Sequence, residues 1–319
     1  MINKDGIYTV RFPAEKPFKL MDGSICIFQR GLEERSHYID RLREKDQGHS
    51  VFREVEFKDK ENDKIKNVET GEDYSLRSSE DVRKLLDVGF GRNIYLDASG
   101  LHIKILSALI KQSVKLIADL GIKFYILYAE PKSYQFKRYC EEGQYHNWAG
   151  GGFNGISPLP GFGCIVSENN ESILVPLLGF QGGRLAYILS QLDVDETKVF
   201  PVIGLSGYRP EYPFYSYFGN RQALIENNSW QNVQFAMAGS IVDALLQLNR
   251  IYEKNAKDRF MKIAPIGTKP HAIAAILMAC LHPRTTELVY DNPNKDKSRT
   301  DGVGIVSVTC VSDLIGSIG

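Results

Sequence analysis

Apolar residues recur along the chain in two alternating rhythms: short unbroken runs, and longer stretches with an apolar position every three or four residues. The runs predict buried strands and the stretches predict amphipathic helices. "SICIFQR" (24–30) is one run, and the charged helical pattern "LEERSHYIDRLREK" (32–45) follows it. "NIYLDAS" (93–99) then feeds "LHIKILSALIKQSVKLIADLG" (101–121). In that stretch Ile103, Leu106, Ile110, Val114 and Ile117 repeat at helical spacing, and Gly121 stands where a helix end favours glycine. "IKFYILYAEP" (122–131) is a strand rich in β-branched and aromatic residues. The series continues through "ILVPLLGFQGG" (173–183) into the helix "RLAYILSQL" (184–192), then "KVFPVIGLSGY" (198–208), "MKIAPIGTK" (261–269), "ELVYDNP" (287–293) and "GIVSVTCV" (304–311). Near-continuous apolar strands with helices between them predict an α/β chain of Rossmann-like type. Its sheet is mainly parallel and covered by helices on both faces, with room for an antiparallel edge strand.

Two stretches break the rhythm. Val55 to Leu76 is dense in charge and predicts an exposed hairpin or loop. Cys140 to Gly163 is rich in Gly, Pro and aromatic residues, and is too long for an ordinary connection. Both read as excursions from a single large domain spanning 1–319, a length that α/β domains reach.

Composition narrows the partners. With 39 Lys+Arg against 39 Asp+Glu there is no global basic field to hold duplex nucleic acid. The apolar stretch 101–120 is interrupted by Lys104, Lys111, Gln112, Lys115 and Asp119, which excludes a simple membrane span. The opening "MINKDGIYTVRF" lacks the apolar core of a secretory signal, so a cytoplasmic location is expected. The five cysteines form no C-x-x-C pair and the six histidines no H-x-H or H-x-x-x-H pair, so buried thiols and no metal are expected. There is no Walker A loop, and no G-x-G-x-x-G stands at a strand-to-helix junction, so no bound cofactor is expected either.

Ligands of open parallel sheets collect at the carboxyl ends of the strands. There this chain places Arg35, then Asp97 before Ser99, then Glu130 before Pro131, then Tyr208 and Arg209, and finally Gly267-Thr268-Lys269-Pro270-His271. Asp97 and Glu130 are the candidate acid and base, provided their strands are neighbours. Arg35 is a candidate anion ligand. Tyr208 and Arg209 begin an aromatic-rich stretch, "YRPEYPFYSYFGNR", suited either to stacking a base and pairing a phosphate or to meeting another protein. The turn at Gly267 opens a helix whose first amides and dipole favour an anion, and Lys269 adds a full charge there. Thr268 or Lys269 is the candidate cap, while His271 offers a further amide. The competing reading of this turn is a plain strand-to-helix connection with a solvated lysine.

A strand followed by Gly267-Thr268-Lys269 and the small-residue helix "HAIAAILMA" resembles the signature of CARF-type Rossmann domains. The resemblance implies a nucleotide or cyclic oligonucleotide ligand, a sensor or recognition role in prokaryotic defence, a protein partner in such a system, and assembly with like or unlike chains. The motif lies near the end of this sequence, whereas in that family it sits within a compact N-terminal domain. Two other readings stand beside the sensor. One is a hydrolase of a phosphodiester or N-glycosidic bond using Asp97 and Glu130, and the other is a structural subunit of a defence complex.

Overall fold

The computed structural model describes residues 6–86, 93–134, 155–163, 171–192, 195, 198–205, 209–257, 259–293 and 300–316. The chain divides into two compact units, Met1–Tyr134 with Thr300–Gly319, and Gln135–Arg299. In chain order the first builds β1 (Thr9–Pro13), β2 (Ile25–Phe28), α1 (Tyr38–Asp46), β3 (Val51–Asp59), β4 (Lys64–Asn67), β5 (Asp73–Ser75), α2 (Ser79–Leu86), β6 (Asn93–Asp97), α3 (Ile103–Leu120) and β7 (Lys123–Tyr134). The second follows with β8 (Ser157–Pro158), β9 (Ser172–Leu178), α4 (Gly182–Gln191), β10 (Val202–Leu205), α5 (Tyr212–Glu226), β11 (Gln234–Met237), α6 (Ile241–Asn255), β12 (Phe260–Pro265), α7 (Lys269–Leu281) and β13 (Thr286–Tyr290). Then β14 (Thr300–Cys310) and α8 (Val311–Ile315) return to the first unit. The alternation that reads as one continuous series is thus shared between two sheets. The fold class is α/β, with mostly parallel mixed sheets and helices around them.

In the first unit eight strands stand in the order β1-β14-β7-β6-β2-β3-β4-β5. The middle four, β7-β6-β2-β3, are parallel, and antiparallel pairs extend both ends. The charged stretch 55–76 belongs to this sheet: Val55 and Ile65 turn inward and are fully buried, while Glu56 and Lys66 pair outside at 2.8 Å. Its alternation of apolar and charged residues is strand alternation, and the high charge marks the solvated face. The helix expected from residue 32 begins at Tyr38, because a 3-10 turn over Glu34–His37 precedes it. Ser36 fastens that turn, accepting from the Gly31 amide at 2.9 Å and donating to the Glu33 carbonyl at 2.7 Å. α3 forms as its periodicity predicts, with His102 capping the Lys104 amide and Gly121 closing the helix at φ 63°. On one face of the sheet Cys26, Phe28, Tyr95, Leu127 and Ala129 form a core with Tyr38, Ile39 and Leu42 of α1.

In the second unit the order is β11-β10-β9-β12-β13-β8, with β8 antiparallel at one edge and the rest parallel. Leu185 and Ile188 of α4 and Ala223 and Leu224 of α5 cover the face carrying Leu174, Leu178, Ile203 and Ala264. The alternate residues Ile173, Val175, Leu177 and Ile263 are equally buried, on the opposite face where right-handed crossovers carry α6 and α7. Strands buried on both faces explain why these runs are apolar throughout. The irregular loop expected over 140–163 falls largely outside the described residues; its last part carries β8.

Candidate functional site

The second unit's strand order reverses between β9 and β12: β10 and β11 lie to one side and β12 and β13 to the other. Connections diverge at such a reversal and leave a crevice, the usual ligand position in open parallel sheets. The turns meeting there are residues 179–181, before α4, and residues 266–268, before α7. They approach backbone to backbone. A Cβ on Gly267 would stand 2.7 Å from the Leu178 carbonyl oxygen, and one on Gly179 would stand 3.0 Å from that of Ile266. Gly267 does not take a positive φ. Glycine is required here because the neighbouring strand leaves no room for a Cβ.

Thr268 caps α7 as expected, its hydroxyl accepting from the His271 amide at 3.4 Å and donating to the Ala238 carbonyl at 2.7 Å. Pro270 has no N–H and the His271 amide is held by Thr268, so neither offers a donor at the helix start. The His271 side chain belongs to the core. It is fully buried, and its Nε2 lies 3.1 Å from the Met237 carbonyl. Burial pushes its pKa down to about 4, against a smaller upward pull from that hydrogen bond. A neutral ring donating from Nε2 ties α7 to the end of β11, so the side chain is a core group and not a ligand contact. Lys269 is the first residue of α7, and neither α7 nor α4 has an acidic residue in its first turn.

Sequence reasoning gave no role to the pair that underlies this crevice. Arg184, in the first turn of α4, donates from Nε to Asp291 Oδ2 at 2.7 Å and from Nη2 to Oδ1 at 2.5 Å, while Nη1 holds the Ile266 carbonyl at 2.9 Å. Asp291 follows β13 and is fully buried. Burial opposes the arginine's charge, yet the two bonds to Asp291 keep its pKa above the ordinary value. The available signal was a lone arginine at the start of an apolar helix, where the dipole disfavours a cation, matched by a lone acid after an apolar strand. Ser216 and Asn220 of α5 add donors to the Gly179 carbonyl at 3.1 and 2.8 Å, fixing the other turn. Arg209 is exposed ahead of α5, its guanidinium 3.8 Å from Glu211. Tyr208 lies outside the described residues.

Arg35, Asp97 and Glu130 belong to the first unit. β6 ends at Asp97, opposite Leu127, while β7 continues, leaving a ledge of backbone from Tyr128 onward. Ser99 Oγ accepts from the Ala129 amide at 2.9 Å, and Asp97 Oδ1 accepts from the Ser99 amide at 2.9 Å. Arg35 is buried on the same ledge, donating to the Tyr128 hydroxyl at 2.7 Å and to Glu33 at 2.6 Å. The strands of Asp97 and Glu130 are neighbours, yet the two carboxyls are not paired. Asp97 shares its face with Leu127, and Glu130, three residues further along, points to the other. The acid–base pair expected from the sequence is corrected accordingly.

Glu130 remains chemically distinctive by itself. It is 5% exposed, and its Oε1 has no hydrogen-bond partner among the described residues. Burial raises its pKa to about 7, with Arg11 pulling weakly the other way. Among the described residues no group of three or more His, Cys, Asp or Glu could hold a metal ion, and no helix is long and apolar enough to cross a membrane.

No family model matches the chain. No curated protein matches it either. Among solved structures it is similar at 10% identity to a GDP-L-fucose synthetase from Naegleria fowleri, over 90% of this chain and 88% of that one, with a TM-score of 0.23. The NADP-bound form of that enzyme is similar over 90% of this chain and 87% of its own, again at 10% identity and a TM-score of 0.23. Likeness this weak assigns no activity to the chain.

Proposed function

We propose that the second unit binds a phosphate-bearing ligand of the nucleotide class in the crevice between β9 and β12, and that the protein acts as a sensor or recognition subunit. The observation that carries this reading is the reversal of strand order at two turns that open α4 and α7 side by side, with Lys269 at the head of α7 and no acid in either first turn. The likeness of Gly267-Thr268-Lys269 to the CARF turn extends the proposal to cyclic oligonucleotides and to a role in prokaryotic defence. Calorimetric titration of the whole protein with mononucleotides and cyclic oligonucleotides tests it. Lys269→Ala should weaken the ligand that binds by about 1.5–3 kcal/mol, the size of a charge-assisted contact, with the fold intact. Unchanged affinity would refute the site.

A second reading rests on Glu130. A buried carboxyl with an unsatisfied oxygen and a pKa raised to about 7 suits a general acid or base on a phosphodiester or N-glycosidic substrate in the first unit. Turnover that survives Glu130→Gln would remove it.

A further inference from the structure

β11 ends the second unit's sheet: among the described residues it has a strand neighbour on one side only. Its Phe235 is 51% exposed and its Met237 44%. The parallel register places Phe235 beside Ile203 and Met237 beside Leu205, and Ile203 packs on the face covered by α4 and α5. Phe235, Met237 and the half-exposed Leu205 therefore lie on the α5 side of the sheet, at an edge that α5 does not fully cover.

α5 carries the matching ridge. Tyr212, Ser216, Asn220, Ala223 and Leu224 face inward, and Phe214, Phe218 and Ile225 form the outward stripe, with Phe214 at 75% exposure. Tyr215 and Tyr217 flank the stripe, and Trp230, in the 3-10 turn that joins α5 to β11, continues it to the strand. A large aromatic side chain offers about 150–250 Å². The nine half-exposed groups, six of them aromatic, therefore give a surface on the order of 800 Å². That exceeds the apolar patch of a typical monomer, roughly 300–600 Å². It equals one side of a standard stable interface, about 800 Å² per partner.

We infer that this surface is the contact between two copies of this chain, related by a twofold axis, with the α5 ridge of each seated against the exposed β10–β11 face of the other. Two features select a second copy over a foreign chain. Ridge and sheet edge both belong to this chain and lie on the α5 side of one sheet, so each copy can offer both to its twofold mate, which is what an isologous contact needs. Its bordering charges are balanced, Arg209 and Arg221 against Glu211 and Glu226, so a copy meets no net repulsion and a strongly acidic or basic partner finds no complement. The other sheet edges are protected differently: β1 carries Arg11 and ends at Pro13, β5 is three residues beginning with Asp73, and β8 is two residues including Pro158.

Sedimentation velocity of the full chain across a concentration series is the test, with Phe218→Glu altering the ridge and Phe235→Glu altering the trough. The wild type should sediment as a dimer at micromolar concentration. Each variant should dissociate at least about a hundredfold more readily, the effect of losing a central aromatic contact, with an unchanged circular dichroism spectrum. Hydrogen exchange of the wild type covers the case in which a variant misfolds: protection of residues 212–237 should rise as concentration carries the monomer into the dimer. A wild type that stays monomeric at 50-fold higher concentration overturns the inference, whether or not another protein binds the surface. A dimer that persists in both variants, or protection that rises only elsewhere, overturns it as well.

Discussion

Replacing Asp291 by Asn leaves the Arg184 guanidinium buried beneath the β9–β12 crevice without its counter-charge. Both bonds it loses in strength are charge-assisted, at 2.7 and 2.5 Å, and the partners are 8% and 0% exposed, so water cannot substitute. Breaking one side of such a pair costs about 3–5 kcal/mol, because the remaining charge stays desolvated. Removing both charges is different. Arg184→Met with Asp291→Leu retains apolar volume and takes the Arg184 partner from the Ile266 carbonyl and the Tyr290 hydroxyl but leaves no buried charge, so the double variant should be clearly more stable than Asp291→Asn. Both tryptophans, Trp148 and Trp230, fall in the second unit's span, so intrinsic fluorescence during urea unfolding follows that unit. With a slope near 2 kcal/mol/M, Asp291→Asn should lower the midpoint by roughly 2 M. A loss below about 1 kcal/mol, or a double variant as unstable as the single one, would refute a desolvated ion pair at this position.

The two units should answer pH in opposite senses. Glu130 has a folded pKa raised to about 7, so between the ordinary carboxylate range and pH 7 the folded state holds the extra proton and stability falls as pH rises. Glu130→Gln should therefore raise the melting temperature of the first unit at pH 8 and change it little at pH 5. His271 has a folded pKa lowered to about 4, so the unfolded state holds the extra proton below about pH 6.5 and the second unit loses stability as pH falls toward 4. His271→Gln should flatten that loss in the fluorescence-detected melt; an equally steep loss in the variant would exclude His271 as its source. Gly267→Ala should destabilise the second unit by about 1–3 kcal/mol through its clash with the Leu178 carbonyl, seen as a lower melting temperature whether or not ligand is present. An alanine variant as stable as wild type would show that the two turns can move apart.

The local alternation was legible because strands buried on both faces leave uninterrupted apolar runs, as in "ILVPLL", and because α3 announces itself with a capped helical period. The cap at Thr268 was legible for the same reason: it is a contact within four residues. Contacts made across a sheet were not. Gly267 meets Leu178, Arg184 meets Asp291, and His271 meets Met237, and each needs a strand order that no local pattern contains. Asp97 and Glu130 show the same limit. Their strands could be named, but the one-residue difference in parity that separates their faces depends on the register Asp97↔Leu127. The division into two sheets was hidden because the strands after residue 171 repeat the composition of those before 134.

Tyr134 and Thr300 are directly opposed in the β7–β14 ladder, so the chain leaves the first unit and re-enters it at a single point. β14 lies between β7 and β1, and among the described residues β1 pairs with no other strand. A ribosome adding about 5–20 residues per second therefore leaves β1 without its neighbour for roughly 15 to 60 s, and about 8 to 33 s of this is the interval in which the second unit is made. Among the described residues the later-made unit has its last strand in hand by Tyr290 and can close its sheet first. Order of birth and order of completion are reversed, and the nascent first unit carries the open β7 edge through that interval as its point of exposure to chaperones and to mispairing.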